Sequence, residues 1–207
     1  YKANRGDTPE DLIPQFDLIK NCVKAFNIPQ LEIEGYEADD IIGVLTDHFN
    51  GLEKDILPGE QALGPTLIIS SDKDFIQLQK FNRVKQWSPL QRKWVIDDPH
   101  ESLYEKVIKG DTGDGVPNIL SGDDVFITEG VRQKPITKKK LDSWRALDPK
   151  DFCNTEEILR NYYRNEQMVD LSKLPETICI NIINSYSEQS SGDRSRLMNY
   201  FVNKRLK

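Results

Sequence analysis

Three acidic clusters carry the chemistry available to this chain: Glu37-Ala-Asp39-Asp40, Asp72-Lys-Asp74 and Asp111-Thr-Gly-Asp114. Each falls where a regular element should begin or end. Carboxylates gathered on one partly buried face cannot all stay ionised unless cations neutralise them. Oxygen-only ligands select hard divalent ions, Mg²⁺ or Mn²⁺, over zinc. A site of that kind serves phosphate esters by the two-metal route, so phosphodiester hydrolysis is the reaction the clusters predict. Taken singly, each has a plainer explanation. Acids in a first helical turn complement the macrodipole, which covers Glu37, Asp39 and Asp40. Asp72 or Asp74 could cap a helix. The segment Gly110 to Pro117 looks like a calcium loop but lacks the further acids and closing Glu of an EF-hand. Their succession, with a strand ahead of the second, is what makes them a site.

The elements that must position these acids follow from periodicity. Leu12, Ile13, Phe16, Ile19, Val23 and Phe26 recur at helical spacing over residues 9 to 27, with Thr8-Pro9 as cap and first residue. Leu31 to Glu34 alternates as a short strand, and Glu37 to Phe49 reads as a helix followed by a loop over Gly51 to Pro65. Thr66 to Ser70 is a wholly apolar, β-branched run of the kind found in the centre of an α/β sheet. Asp72 and Asp74 lie just past its carboxyl end, where ligands bind in open α/β sheets. Val84 to Trp87 and Lys93 to Ile96 flank Ser88-Pro89 as a hairpin, and His100 to Lys109 is a helix ending at Gly110. Beyond Gly115 strand signals fade; Leu141 to Ala146, Thr155 to Asn165 and Pro175 to Ser185 read as helices.

The chain has 207 residues, 37% hydrophobic, enough for a core, and 30% charged, as expected of a soluble protein. No apolar run reaches the length of a membrane span, and no signal peptide is visible. Cys22, Cys153 and Cys179 show no ligand spacing and read as reduced cytosolic thiols; two histidines, His48 and His100, are too few for a histidine metal site. The net charge of −6 argues only weakly against nucleic acid, because the acidic clusters supply much of it. Basic residues concentrate at Arg132, Lys134, Lys138, Lys139 and Lys140, and again at Arg194, Arg196, Lys204, Arg205 and Lys207. Either group could simply be a solvated face. The opening Tyr1-Lys-Ala-Asn-Arg5, without Met, reads as the start of a fragment.

Several stretches resemble the 5′-nuclease superfamily, which includes flap endonucleases and the 5′-nuclease domain of bacterial DNA polymerase I. They are Tyr1 to Arg5, Gly35-Tyr-Glu-Ala-Asp-Asp-Ile-Ile-Gly43, Ser71-Asp-Lys-Asp-Phe75 with Gln77-Leu78, and Gly110 to Asp114 with Val116-Pro117. Leu67 to Asp72, Val84 to Pro89, Lys93 to Val95, Lys134 to Lys138 and Asn199 to Val202 resemble more specifically the ribonuclease H branch of T-even-type phages. The resemblance spans essentially the whole chain. It implies an α/β fold: a PIN-like core over residues 1–110, with a mostly parallel central sheet flanked by helices and its first strands missing. A helical DNA-binding region over 111–207 would contain a helix-turn-helix-type element. A lost strand would leave an unpaired edge and an exposed apolar face.

By the same resemblance, Glu37, Asp39 and Asp72 are ligands of a first Mg²⁺, with Asp40 a further family acid. Asp74, Asp111 and Asp114 form the second-metal cluster, and Mn²⁺ can substitute. Lys2 and Arg5 match the residues that clamp the scissile phosphate, and Tyr1 lies beside the terminal nucleotide. Gly115, Val116 and Asn118 stand where the family grips duplex phosphates, in places with a K⁺ held by backbone carbonyls. This segment, Gly115 to Gly122, departs from the bacterial pattern, and Arg132, Lys134, Lys138, Lys139 and Lys140 could supply the phosphate contacts instead. The implied activity is 5′ to 3′ exonuclease and flap endonuclease hydrolysis, removing RNA primers and 5′ flaps in the cytosol of a phage-infected bacterium. The enzyme would be a monomer, partnered by a sliding clamp or single-strand-binding protein. Ligand acids that the family takes from strands ahead of Tyr1 are not among these residues, so weak metal binding and poor cutting are also expected. Two other readings compete: a non-catalytic module that binds forked duplexes, and a receiver-like phosphotransfer domain, which the third acidic cluster and the helical second half oppose.

Overall fold

The computed structural model describes residues 2–3, 6–54, 64–189 and 195–204. Tyr1, Arg5, Arg194, Arg205 and Lys207 lie outside that set, and the side chains of Arg196 and Lys204 are not described. Contacts divide the chain into two compact units, Tyr1–Arg5 with Ala38–Pro175, and Gly6–Glu37 with Glu176–Lys207.

The second unit is helical. Helix α1 (Ile13–Ala25) starts later than its periodicity suggests: Leu12 is its cap and Pro14 stands in its first turn, so Thr8-Pro9 lies outside it. Leu31 to Glu34, expected as a strand, forms none; alternation over four residues has no neighbouring strand here to pair with. Helices α7 (Glu176–Ser187) and α8 (Ser195–Lys204) complete the unit, with Phe26 of α1 edge-on to Phe201 of α8 at 6.0 Å.

In the first unit, helix α2 (Ala38–Lys54) runs past Phe49 and takes in residues expected as loop. Strands β1 (Thr66–Ile69), β2 (Val84–Ser88) and β3 (Lys93–Val95) make a sheet in that order. β1 and β2 are parallel, Ile68 opposite Gln86; β2 and β3 are the expected antiparallel hairpin, Trp87 opposite Trp94. The described sheet is therefore mixed rather than mostly parallel. β1 lies at its edge rather than its centre, with Ile68 buried while Leu67 and Ile69 are 51% and 66% exposed. An apolar run fixes the strand but not how many of its faces are covered.

The covered face carries Ile68 and Val84 onto Phe75 and Leu78 of a 3-10 helix, Lys73–Lys80, with Ile42 of α2 and Leu171 closing the cluster. Helix α3 (Pro99–Lys109) packs on that 3-10 helix and on α6 (Glu156–Val169). Asp98 caps α3 by accepting from the N–H groups of His100 and Glu101, and Gly110 ends it at φ +69°. A second core gathers Ile108, Ile119, Leu141, Phe152 and Cys153 under the short helices α4 (Lys138–Trp144) and α5 (Pro149–Phe152). Burial pushes the Cys153 thiol up to about 11, and none of the three cysteines forms a disulfide.

Between Lys109 and Lys138 the backbone makes turns and no helix, so the expected helix-turn-helix over Gly115 to Gly122 does not form there. Side-chain amides organise this stretch. Asn161 donates to the carbonyls of Ile119 and Ser121, and Asn165 to those of Val107 and Pro117. α6 itself starts on Thr155, whose hydroxyl accepts from the N–H of Ile158. Thr155→Ala should lower stability by about 1 kcal/mol, read as a shifted urea midpoint with unchanged slope.

Candidate metal centre

The site is built where β1 hands over to the 3-10 helix and where α3 ends. Past β1, the Asp72 carboxylate accepts the N–H of Asp74 at 3.0 Å and caps the 3-10 helix. Gln86, 1% exposed on β2, clamps this turn by donating to the carbonyls of Ser70 and Asp72 at 3.0 and 2.6 Å. Ser71 and Ser88 share a hydroxyl bond at 2.8 Å. The turn is thus held from below by the inward face of β2, which leaves the Asp72 side chain exposed and Asp74 half-buried.

At the other end, Gly110 lets the chain leave α3 in a conformation other residues resist. A Cβ there would stand 2.2 Å from the carbonyl oxygen of Val116, so the close approach as well as the φ requires glycine. Asp111 and Val116 then exchange both backbone bonds at 2.8 Å, closing a tight loop. Within it the Asp111 Oδ1 accepts from the N–H groups of Gly113 and Asp114 at 2.8 and 3.2 Å. The loop also holds the start of the chain: the Lys2 N–H donates to the Asp114 carbonyl at 2.6 Å.

These two turns converge. Carboxylate oxygens of Asp74, Asp111 and Asp114 lie within 4.8 Å of one another, the one such group among the described residues. The three half-buried acids, offering oxygen alone, suit a hard divalent cation. A positive charge already sits among them, because Lys106 of α3 binds the Asp74 Oδ1 and, at 3.0 Å, the Asp111 Oδ2. Burial raises the Asp74 pKa, against the bond and charge of Lys106, and the charges of Asp72 and Asp111 add to the rise. For Asp111, burial acts in the same direction but is outweighed by Lys106 and by the two N–H groups, leaving its pKa lowered. Lys106 would lose basicity by burial, yet its two carboxylate partners hold its pKa above the ordinary value. The electrostatics describe a pocket with more negative charge than one ammonium comfortably balances.

The remaining expected residues fall as follows. Asp39 and Asp40 occupy the first turn of α2, a helix that packs on the 3-10 helix carrying Asp74. Glu37 belongs to the other compact unit. Val116 and Asn118 are both buried, and Asn118 spends its amide on Lys134, Leu120 and Ser121, which leaves their backbone as what this segment could offer to phosphate. Neither side chain is presented to a nucleic acid. Gly115 sits at φ +71° in the Asp111 loop. Arg132, Lys134, Lys138, Lys139 and Lys140 are exposed, with the Lys140 ammonium 4.8 Å over the Trp144 ring.

Reading the sequence missed Lys106, Gln86 and Asn165. Lys106 pairs with Asp111 just past the end of its own helix and with Asp74 on a different element, a relation that no fixed helical spacing reveals. Gln86 did leave a trace, as a polar residue at an inward position of the alternating Val84, Gln86, Ser88 series.

Residues 1–107 match the family described as 5′-3′ exonuclease, N-terminal resolvase-like domain, and residues 99–207 match T4 RNase H, C terminal. Ribonuclease H of Enterobacteria phage T4 is 33% identical over 218 residues, covering 98% of this chain and 68% of the phage protein. DNA polymerase I of Rhizobium leguminosarum is 36% identical over 129 residues, covering 58% of this chain and 12% of the polymerase. Among solved structures, a bacteriophage T5 flap endonuclease in a pseudo-enzyme-product complex with DNA and metal ions superposes with a TM-score of 0.52. It is 20% identical and covers 94% of this chain and 67% of its own, a likeness of fold.

Proposed function

The chain belongs to the 5′-3′ exonuclease family, and on that premise we propose a metal-dependent nuclease that hydrolyses phosphodiesters from 5′ ends and at 5′ flaps. The observation that carries this reading is the convergence of Asp74, Asp111 and Asp114 from two separate turns. They would hold one Mg²⁺ or Mn²⁺, and Asp72, Asp39 and Asp40 would serve a second. Bound metal supplies a water of lowered pKa and stabilises charge on the scissile phosphate.

The chain's own groups do the rest. Gln86 and the Asp111 loop fix where the carboxylates point, so little reorganisation is left for the reaction. Lys2 is tied through its backbone to Asp114, and by family resemblance Lys2, Arg5 and Tyr1 would clamp the phosphate and terminal nucleotide. Arg132, Lys134 and Lys138 to Lys140 would grip duplex phosphates without reading sequence. Gly115 contributes backbone only, and the turns around it stand in for a helix-turn-helix; a K⁺ there would need their carbonyls. Residues 1–110 are assigned as catalytic core and 111–207 as the DNA-binding region, a division supported by where the two family matches meet. RNA·DNA and DNA duplexes are the substrates and primer removal in a phage-infected bacterial cytoplasm the setting, with a clamp or single-strand-binding protein as partner.

Cleavage of a 5′-labelled flap and of an RNA·DNA primer duplex, with Mg²⁺, Mn²⁺ or EDTA, tests the reading. Metal-dependent release of 5′-terminal products supports it. Salt-sensitive binding to the fork without turnover in either metal would favour the non-catalytic module instead.

A further inference from the structure

We infer that Lys106 is a surrogate for the metal: it bridges Asp74 and Asp111, two of the three acids of the triad, when no cation is bound and must leave for one to enter. The inference rests on the metal reading of that triad.

The ammonium bonds the same kind of atoms a divalent ion would claim, one oxygen from Asp74 and one from Asp111. It reaches them from α3, the helix whose end delivers Asp111, so one element supplies both an acid and its counter-charge. Its side chain is only 16% exposed, so its attraction to the acids is poorly screened, and so would be its repulsion of a second cation. An ammonium has three donors on a compact centre and can bridge carboxylates, but it cannot reproduce the six or more oxygen contacts a hard divalent ion takes. The two cations therefore compete for Asp74 and Asp111.

The structure also offers the ammonium somewhere to go. A cavity of about 240 Å³ opens beside Asp74 and Asp111, lined from α3 by Ser102, Lys106 itself and the Glu105–Lys109 ion pair, and by Lys73. Ser102, four residues before Lys106, lies on the same helical face and lines this cavity, so rotation about the lysine's own stem carries the ammonium toward it. A purely structural ion pair predicts the opposite outcome on mutation, because losing it would disorder the triad and weaken metal binding.

Calorimetric titration of Mn²⁺ into wild type, Lys106→Met and Asp111→Asn distinguishes these. The surrogate role predicts that Lys106→Met binds Mn²⁺ about tenfold tighter or more. Should that variant fail to fold, amine labelling of the wild type decides: Mg²⁺ should raise modification of Lys106 relative to Lys150, a lysine on another helix. Unchanged or weaker Mn²⁺ affinity in Lys106→Met, or labelling of Lys106 indifferent to Mg²⁺, overturns the inference. If Asp111→Asn then still abolishes binding, the metal reading survives that failure. No Mn²⁺ binding by any of the three proteins overturns both.

Discussion

Asp111→Asn is expected to reduce metal-dependent cleavage by more than about 100-fold while leaving the fold intact. Removing a group that merely supports a metal ligand costs 10–100-fold in affinity or activity, so loss of a ligand should exceed the upper end. The substitution separates the two jobs of this residue. Its Oδ1 organises the loop through the N–H groups of Gly113 and Asp114, and an asparagine carbonyl does the same. Its Oδ2 faces Lys106, where an amide would turn N–H groups toward any cation. Turnover of a labelled flap in saturating Mg²⁺, set beside thermal unfolding of the same sample, reads both jobs. A variant that cuts at the wild-type rate would remove Asp111 from the metal centre.

The largest effect on stability is expected from Asn165→Ala, about 3 kcal/mol. Asn165 is fully buried. The Val107 carbonyl lies in the last turn of α3, and the N–H four residues on, that of Asp111, is bonded to Val116 instead. The Asn165 amide is what satisfies it, at 2.8 Å. Alanine would leave that carbonyl buried without its donor and remove one of the acceptors of Arg164. Asn165→Asp offers oxygen where two carbonyls need a donor and should be no better. Denaturant midpoints measure both variants, and a loss under 1 kcal/mol for alanine would mean that another donor takes over the Val107 carbonyl.

Where the chain repeats on a short period, its fold was legible. The helix after Glu37, the strand at Thr66, the hairpin and the helix closing at Gly110 all followed from apolar spacing and punctuation. The grouping of Asp74, Asp111 and Asp114 came from the family resemblance, because spacing alone left each acid open to a capping role. What stayed hidden depends on partners distant in sequence. The turns from Thr112 to Thr137 are held by Asn161 and Asn165, residues on a later helix whose polar character reads as an ordinary exposed face. That Val116 and Asn118 bury their side chains was hidden as well, because burial is not written in a loop's composition. Lys106 was passed over among α3's other charged residues for the same reason.

The arrangement of the helical unit sets an order of events during synthesis. Its first helix, α1, emerges from the ribosome early, yet Phe26 meets Phe201, which is translated 175 residues later. At about 5–20 residues per second that delay is roughly 10–35 s. Every element of the first unit from Ala38 to Pro175 is made within the interval, so that unit can fold while α1 still waits. Ile13, Phe16 and Ile19 remain 54%, 46% and 58% exposed even in the finished fold, so the waiting helix presents an apolar stripe throughout. Among the described helices α1 is therefore the one whose apolar stripe waits longest for its packing partner, and it is there that a chaperone would engage.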